Sequence, residues 1–403
     1  MRFLFYSHDG LGLGHTRRHL AIASALTALA PKAAVLLATG ADDVERLGLP
    51  LHVEILKLPG LRKVANERYA SRRLRIPVGE IRALRSALLL TAVKSFQPDV
   101  VLVDKHPFGA RGEFLDALEA LCSDGARTVL GLRDILDDPE AVLKEWGSQQ
   151  LQEGISKYYD LVLVYGQRSV FDPVAAYGLP PAVAERTRFC GYVVNEEQKD
   201  MQRNIPWSSA ALEKHRRPVV LATPGGGEDG YALLQAFIEA ATGASWRGVA
   251  VAGPLMPDSD LSVLKRSAAR AEIELHEFAP HLSSLFWSVD ALVCAGGYNT
   301  LAEAVSKGVP TVCVPRTSPR SEQLIRALAF ERLGLLSTIR PEQLTRETLC
   351  RELDAAIKSS RPERLACANA ALEFNGAQQA ASCLVALAAA RQDVPCREFV
   401  AIS

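Results

Sequence analysis

Apolar residues along the chain gather in short unbroken runs rather than in alternation. "RFLFYS" (2–7), "AAVLLAT" (33–39), "HVEIL" (52–56), "DVVLVD" (99–104), "RTVLGL" (127–132) and "DLVLVY" (160–165) are such runs. Runs of this kind suit strands buried on both faces. Longer stretches with helical spacing lie between them, over 15–30, 77–96, 113–123 and 139–157. Strand–helix alternation predicts a parallel, doubly wound sheet.

The alternation stops at 192–217, a polar stretch with no strand, and resumes with "PVVLAT" (218–223), "GVAVAG" (248–253), "IELHEF" (273–278), "DALVCAG" (290–296), "PTVCVP" (310–315) and "LGLLSTI" (333–339). One or two alanine-rich helices close the pattern. The expectation is an α/β chain with two tandem Rossmann-like domains, over 1–191 and 218–390, joined by a linker at 192–217 and followed by a tail at 391–403. Ligands of such sheets collect at the carboxyl ends of the strands, so two facing domains would enclose a cleft.

Composition narrows the class. The length suits two domains, and 48% apolar with 23% charged residues is ordinary for a soluble protein. Forty-six basic residues balance forty-six acidic ones, which argues against nucleic acid as a partner. None of the eight cysteines stands at C-x-x-C spacing, so reduced, core-packed thiols are expected and no metal site. "MRFLFYSHDG" is too short for a signal-peptide core, and no run approaches the ~20 apolar residues of a membrane span. A cytoplasmic protein is expected.

Candidate chemistry sits in the loops after the strands. "TPGGGEDG" (223–230) places Gly225, Gly226 and Gly227 between a strand and a helix, where backbone amides can approach a phosphate; a plain flexible turn is the alternative. It is neither a Walker A nor a dinucleotide fingerprint. In "CAGGYNTLAEAVSKG" (294–308), Gly296 and Gly297 end a strand, and a helix is expected near Asn299. Glu303 then either closes a capping box with Thr300 or accepts bonds from a ribose diol. In "PRTSPRSEQLIRA" (315–327), Pro319 is expected to open a helix carrying Glu322 and Gln323. Arg316 and Arg320 would stand near a phosphate or in solvent.

These residues resemble the nucleotide-sugar-binding domain of GT-B glycosyltransferases, above all family 28, the group that includes the N-acetylglucosaminyltransferase of lipid-linked peptidoglycan precursors. The shared pattern is Gly296-Gly297, Thr300, Glu303, Gly308, Pro310, Pro315 and Glu322-Gln323; the family has glutamine where Glu322 stands. The resemblance implies that Glu303 binds the ribose, Gln323 the donor sugar, the backbone around Phe278 and Ala279 the base, and Gly225–Gly227 the diphosphate. Over nearly its full length the chain also resembles an uncharacterised group of predicted bacterial glycosyltransferases, through "LGHTRR", "VDKHPFGARGE", "LRDILDDP", "GGYNTLAE" and "PRSEQLIRA".

In such enzymes the first domain offers its strand-end loops to the acceptor. "DGLGLGHTRRH" follows the first strand, and Gly12, Gly14, Arg18 and His106 are expected on the acceptor side. His15 falls at a helix start, where the dipole favours a neutral ring suited to a general base. Family 28 enzymes and nucleotide-sugar hydrolases carry a similar Gly-His at this turn. Asp104 is the favoured group to orient His15, with Asp134 as the other choice; His8 and Asp9 are rivals for the role of base. Residues 61–94 hold nine Lys or Arg against two Glu, a solvated face or a contact for an anionic acceptor or membrane surface. No D-x-D stands where a divalent ion would sit in a GT-A transferase, and the residue eight before Glu303 is Ala295, so the E-x7-E of a retaining group is absent.

The resulting expectation is an inverting glycosyltransferase that needs no metal or other cofactor. It would take a nucleotide diphosphate sugar, UDP-linked by the resemblance, and a small or lipid-linked acceptor, at most peripheral to the inner face of a membrane. The alternatives are a nucleotide-sugar hydrolase and a non-catalytic nucleotide-sugar-binding subunit.

Overall fold

The computed structural model describes residues 1–8, 14–42, 44–65, 68–195, 217–279 and 281–391. In chain order the first strands are β1 (Arg2–Ser7), β2 (Ala34–Thr39), β3 (Val53–Lys57), β4 (Leu61–Ala65), β5 (Arg68–Ser71), β6 (Val100–Asp104), β7 (Arg127–Arg133), β8 (Leu161–Tyr165) and β9 (Thr187–Phe189). Seven of them form one sheet in the order β3-β2-β1-β6-β7-β8-β9, all parallel. The unbroken apolar runs explain this: Phe3 to Tyr6 and Val100 to Val103 are wholly buried, with side chains covered on both faces.

The second sheet holds β10 (Val219–Thr223), β11 (Arg247–Val251), β12 (Glu274–His276), β13 (Ala291–Cys294), β14 (Thr311–Cys313) and β15 (Ser337–Thr338). Its order is β12-β11-β10-β13-β14-β15, again all parallel. Both sheets wind outward from their first strand in one direction and then in the other. The winding reverses between β1 and β6 in the first, and between β10 and β13 in the second, and at such a point adjacent strand-end loops part and leave room for a ligand.

Two compact units result: residues 1–134, 139–193 and 375–403, and residues 135–138 with 194–374. The last helix, Gly376–Arg391, was expected in the second domain but belongs to the first unit, against the helix Gly14–Leu29. Its buried face, Ala377, Ala380, Ala381, Leu384 and Ala388, has helical spacing, and its small side chains allow close packing. The chain crosses back where Val193 bridges to Asn375 and the Gly376 amide donates to the Tyr192 carbonyl at 3.1 Å. Tyr192 and Val193 are accordingly buried parts of the first unit rather than linker. Residues 196–216 of the expected linker and 392–403 of the tail lie outside the described residues.

Other differences are local. The stretch 61–76, outside the predicted strands and helices, contains the antiparallel hairpin β4–β5. The stretch 139–157 is two helices, Pro139–Trp146 and Gln149–Tyr158, parted at Gly147 and capped afresh by Ser148. The short strand β9 lies outside the predicted runs. The basic run 61–94 is not a uniform solvated face. Arg85 is fully buried and grips Glu113 with two nitrogens, at 2.5 and 2.6 Å, while Arg72 pairs with Asp42 at 2.8 Å.

Candidate functional site

At the first reversal, β1 delivers His8, the following helix delivers His15 and Arg18, and β6 ends in Asp104. Gly12 and Asp9, both named from the sequence, lie outside the described residues. His15 is the second residue of its helix. Its Nδ1 lies 2.5 Å from Asp104 Oδ2. Asp104 is wholly buried, and burial pushes its carboxyl up. Arg18, then His15, outweigh that and hold it well below the ordinary carboxylate range. An ionised carboxylate only accepts, so Nδ1 carries the proton and donates it to Asp104. In a neutral ring Nε2 is then the nitrogen with the free lone pair. Of the two aspartates weighed from the sequence, Asp104 meets His15.

The turn beyond Asp104 is tight. The His106 amide donates to the Asp104 carbonyl at 2.8 Å, across Lys105 at φ 65°. A non-glycine residue in this region is strained, and such turns cluster where side-chain direction matters. The His106 ring stands edge-on to His8, 4.3 Å between centroids, and His8 lies 5.3 Å from His15. Burial, then His15, push the His8 imidazole well below its ordinary value, so it stays neutral. Arg18 corrects an expectation. It was placed on the acceptor side, yet its side chain is 1% exposed and donates to both Asp104 oxygens, at 3.1 and 2.8 Å.

The second reversal is built differently. The turn after β10 starts with the Gly225 amide donating to Thr223 Oγ1 at 3.1 Å. Gly227 has φ 98° and Gly253, after β11, has φ 95°. A Cβ on Gly253 would stand 2.3 Å from the Gly225 carbonyl oxygen, and one on Gly227 would stand 2.5 Å from that of Ala252. These glycines let two turns interlock, a reason for their presence that needs no ligand. Gly226 is not bound that way: a Cβ there would make an ordinary 3.7 Å contact with Leu255.

Gly296, at φ 82°, turns the chain after β13, and its carbonyl accepts from Arg326 at 3.1 Å. In a trans peptide the N–H points opposite to the C=O. Buried Arg326 therefore turns the Gly297 amide away from itself, and a Cβ on Gly297 would meet nothing within 4 Å. Gly297 is the N-cap of the helix Tyr298–Ser306 and supplies no side-chain cap. The capping box weighed from the sequence does not form: Thr300 and Glu303 lie in the third and sixth helical positions, not at the cap and third. The helix starts one residue before Asn299, and Glu303 is 4% exposed in its second turn. Thr300 Oγ1 would lie 3.8 Å from a Gly225 Cβ, so the two glycine turns approach each other here.

Arg316 ties the neighbouring loops together, at 3.0 Å from Asp229 and 2.9 Å from Glu322, so the cation expected near a phosphate or in solvent carries two carboxylates. Its backbone amide donates to Gln323 Oε1 at 3.1 Å. Arg320 lies 3.9 Å from Asp137. The helix expected to open at Pro319 opens at Glu322, with Ser321 at its N-cap and a cis Ser318–Pro319 bond in the loop before it. Phe278, half-buried, and Ala279, buried, follow β12 at the same end of the sheet. The roles of Arg18 and Arg326 escaped sequence reading. In each case the usable signal was a cation three residues from a candidate, His15 or Gln323, and so on the same helical face.

Residues 256–382 match the glycosyltransferase family 28 C-terminal domain. The chain has the GT-B fold, and its residues 256–382 are similar to family 28. Among curated relatives of this GT-B chain is the UDP-N-acetylglucosamine--N-acetylmuramyl-(pentapeptide) pyrophosphoryl-undecaprenol N-acetylglucosamine transferase of Thermotoga neapolitana, 28% identical over 102 residues, or 25% of this chain and 30% of that one. The enzyme of the same name, numbered 1, in Bacillus cereus is 26% identical over 175 residues, or 39% and 48%. The matches thus span less than half the length of these relatives. Solved structures agree with the GT-B fold over nearly the whole chain. MurG of Acinetobacter baumannii aligns at TM-score 0.59 and 14% identity, covering 96% of this chain and 99% of that one. A UDP-glucose: anthocyanidin 3-O-glucosyltransferase in complex with UDP aligns at 0.64 and 13%, with the same coverage.

Proposed function

We propose that this chain is an inverting glycosyltransferase that moves a sugar from a UDP-sugar to an acceptor hydroxyl, with His15 as general base. The single observation that carries the reading is the 2.5 Å contact of His15 Nδ1 with Asp104, which leaves Nε2 to take a proton. In one displacement the acceptor oxygen bonds to the anomeric carbon and its proton passes to Nε2. The bond from that carbon to the diphosphate oxygen breaks, and its electron pair leaves with UDP. The second unit holds the donor. The turns Gly225–Gly227 and Gly296–Gly297 offer amides to the diphosphate, the start of the helix Tyr298–Ser306 favours negative charge, and Asn299 and Thr300 line that start. Glu303 takes the ribose, Gln323 with Glu322 the sugar, and the backbone at Phe278 and Ala279 the base. No metal or other cofactor is needed where amides meet the leaving group. UDP is favoured because the curated relatives named above use UDP-N-acetylglucosamine and a neighbour of like fold was solved with UDP.

On the acceptor side stand His106 and Gly14, the first residue of the helix that carries His15. The acceptor is a small hydroxyl compound or a lipid-linked glycan. Among the described residues no helix is long and apolar enough to cross a membrane. Exposed Arg62, Arg75, Arg82 and Lys94 favour peripheral contact with an anionic surface.

The test incubates the purified chain with a panel of nucleotide sugars, with and without hydroxyl acceptors, and follows UDP and sugar products. Transfer that vanishes in His15→Ala while UDP binding persists supports the reading. Free sugar released equally without acceptor makes the protein a hydrolase, and binding without any turnover makes it a binding subunit.

A further inference from the structure

We infer that Arg18 is a positioning residue that keeps the His15 imidazole available as a base by carrying the charge of Asp104. The inference rests on the reading of His15 as the base, and it makes a claim about the ring itself that is measurable without any sugar.

A buried carboxylate beside an imidazole has two outcomes. Alone, it pulls a proton onto the ring and holds an imidazolium ion pair, which cannot accept another proton. Already neutralised by a second cation, it still accepts Nδ1–H but has no net charge left to stabilise an imidazolium. Arg18 supplies that cation. It lies three residues after His15 in one helix, and so on the same face. Its Nη2 nitrogen reaches Oδ1 at 3.1 Å and Oδ2 at 2.8 Å, and stands 3.0 Å from His15 Nδ1. With Nδ1–H committed to Asp104, that last approach is donor against donor. The guanidinium carbon lies 5.1 Å from the centroid of the Tyr165 ring, which covers it.

Charge counting gives the sign. Arg18, Asp104 and a neutral His15 sum to zero, and an imidazolium would leave a net positive charge at a helix start. Among the described residues, the groups that act most strongly on Asp104 and His8 include no further anion. From β1 comes His8, neutral by burial; from the helix, buried His19; from the β6 turn, buried Lys105 and then His106. Arg85 acts on His8 from farther away and has Glu113 as its own partner. Lysine could replace the charge but not the planar fork that lies along the carboxylate.

The experiment compares wild type, Arg18→Gln and Arg18→Lys by nitrogen NMR of the imidazoles, with His15→Gln to assign the signal, and by the pH profile of kcat/KM for UDP release. The expected result is a neutral Nδ1–H ring near neutral pH in wild type and an imidazolium in Arg18→Gln. The acid limb of that variant's rate profile should move to higher pH, so that it loses about tenfold more activity at low pH than at high pH. Arg18→Lys should keep the ring neutral and restore part of the profile. An Arg18→Gln ring that remains neutral, or a loss of activity equal at every pH, overturns the inference and leaves Arg18 a packing residue. So does a folded Arg18→Lys whose ring is an imidazolium. A chain with no transferase activity defeats the proposed function, but the NMR arm still decides the charge state that Arg18 sets.

Discussion

The two reversals share one topology and use opposite materials. Between β1 and β6 stand titratable and charged side chains: His8, His15, Arg18, Asp104 and Lys105. Between β10 and β13 they carry glycine turns, a helix N-terminus and a hydroxyl, with the nearest cations, Arg316 and Arg326, spent on carboxylates and a carbonyl. Under the proposed function, one winding order serves as a place to move a proton and as a place to meet a fixed anion. Side-chain sites titrate, and backbone dipoles do not. The two should thus fail under different insults, and each prediction below is a way to part them.

The largest effect belongs to the charged reversal. His15→Ala should lower transfer by about 100- to 10,000-fold, the usual range for removing a general base. UDP binding, measured by calorimetry, should be unchanged. Equal loss of both would erase the division of labour between the two units.

Acid should also distinguish them. His19, wholly buried against Phe5, has its imidazole lowered from 6.5 to about 4, by burial first, with Arg18 adding to it and Asp104 opposing. The unfolded chain takes up this proton before the folded one does. Stability therefore is full above pH 6.5, falls as the pH drops towards 4, and loses about 3 kcal/mol for this group by then. Asp104 adds little in that window, because an unfolded aspartate takes up its proton only near its ordinary value of 3.8; its own loss of stability comes below that pH. Urea unfolding at a series of pH values should show the slope, and His19→Phe should reduce it, leaving the share of His8, whose imidazole burial lowers in the same direction. An unaltered slope in that variant would mean that His19 does not govern it.

Much of this was legible in the sequence. Continuous apolar runs gave away buried parallel strands, because a strand covered on both faces has no polar side to show. Strand-end loops pointed to both candidate sites, because folds of this kind put ligands there. What stayed hidden was pairing between distant residues. Nothing local shows that Arg18 turns inward to Asp104, 86 positions away, or that the alanine stripe of Gly376–Arg391 packs on the first unit rather than the second. The hairpin β4–β5 hid for another reason: its strands are short and polar, so no apolar run marks them. Thr300-x-x-Glu303 showed the reverse failure, since a local pattern fitted a cap at Thr300 that the helix, capped three residues earlier at Gly297, does not use.

Within the glycine-built reversal, two substitutions separate folding from binding. In Gly253→Ala the new methyl would meet the Gly225 carbonyl oxygen at 2.3 Å and the Gly226 carbonyl carbon at 2.7 Å, with φ at 95°. These are backbone atoms and cannot swing aside. A loss of about 1–3 kcal/mol is expected by thermal or urea unfolding. A Tm equal to wild type would show that the two turns have slack and are not interlocked.

Gly226→Ala is the smallest change and the sharpest. Its φ lies outside the left-handed region, and its new methyl touches only Leu255, at 3.7 Å. Removing a glycine where its freedom is not used stiffens the unfolded chain, so Tm should hold or rise slightly, by at most about 1 kcal/mol of stability. If the amides of this turn meet the donor's diphosphate, the same methyl crowds the approach. UDP affinity should then fall about fivefold, near 1 kcal/mol. Opposite signs for folding and binding are what a backbone anion site demands. Unchanged UDP affinity in a stable Gly226→Ala protein would assign the diphosphate to the Gly296–Gly297 turn alone, and leave the turn after β10 a purely structural clasp.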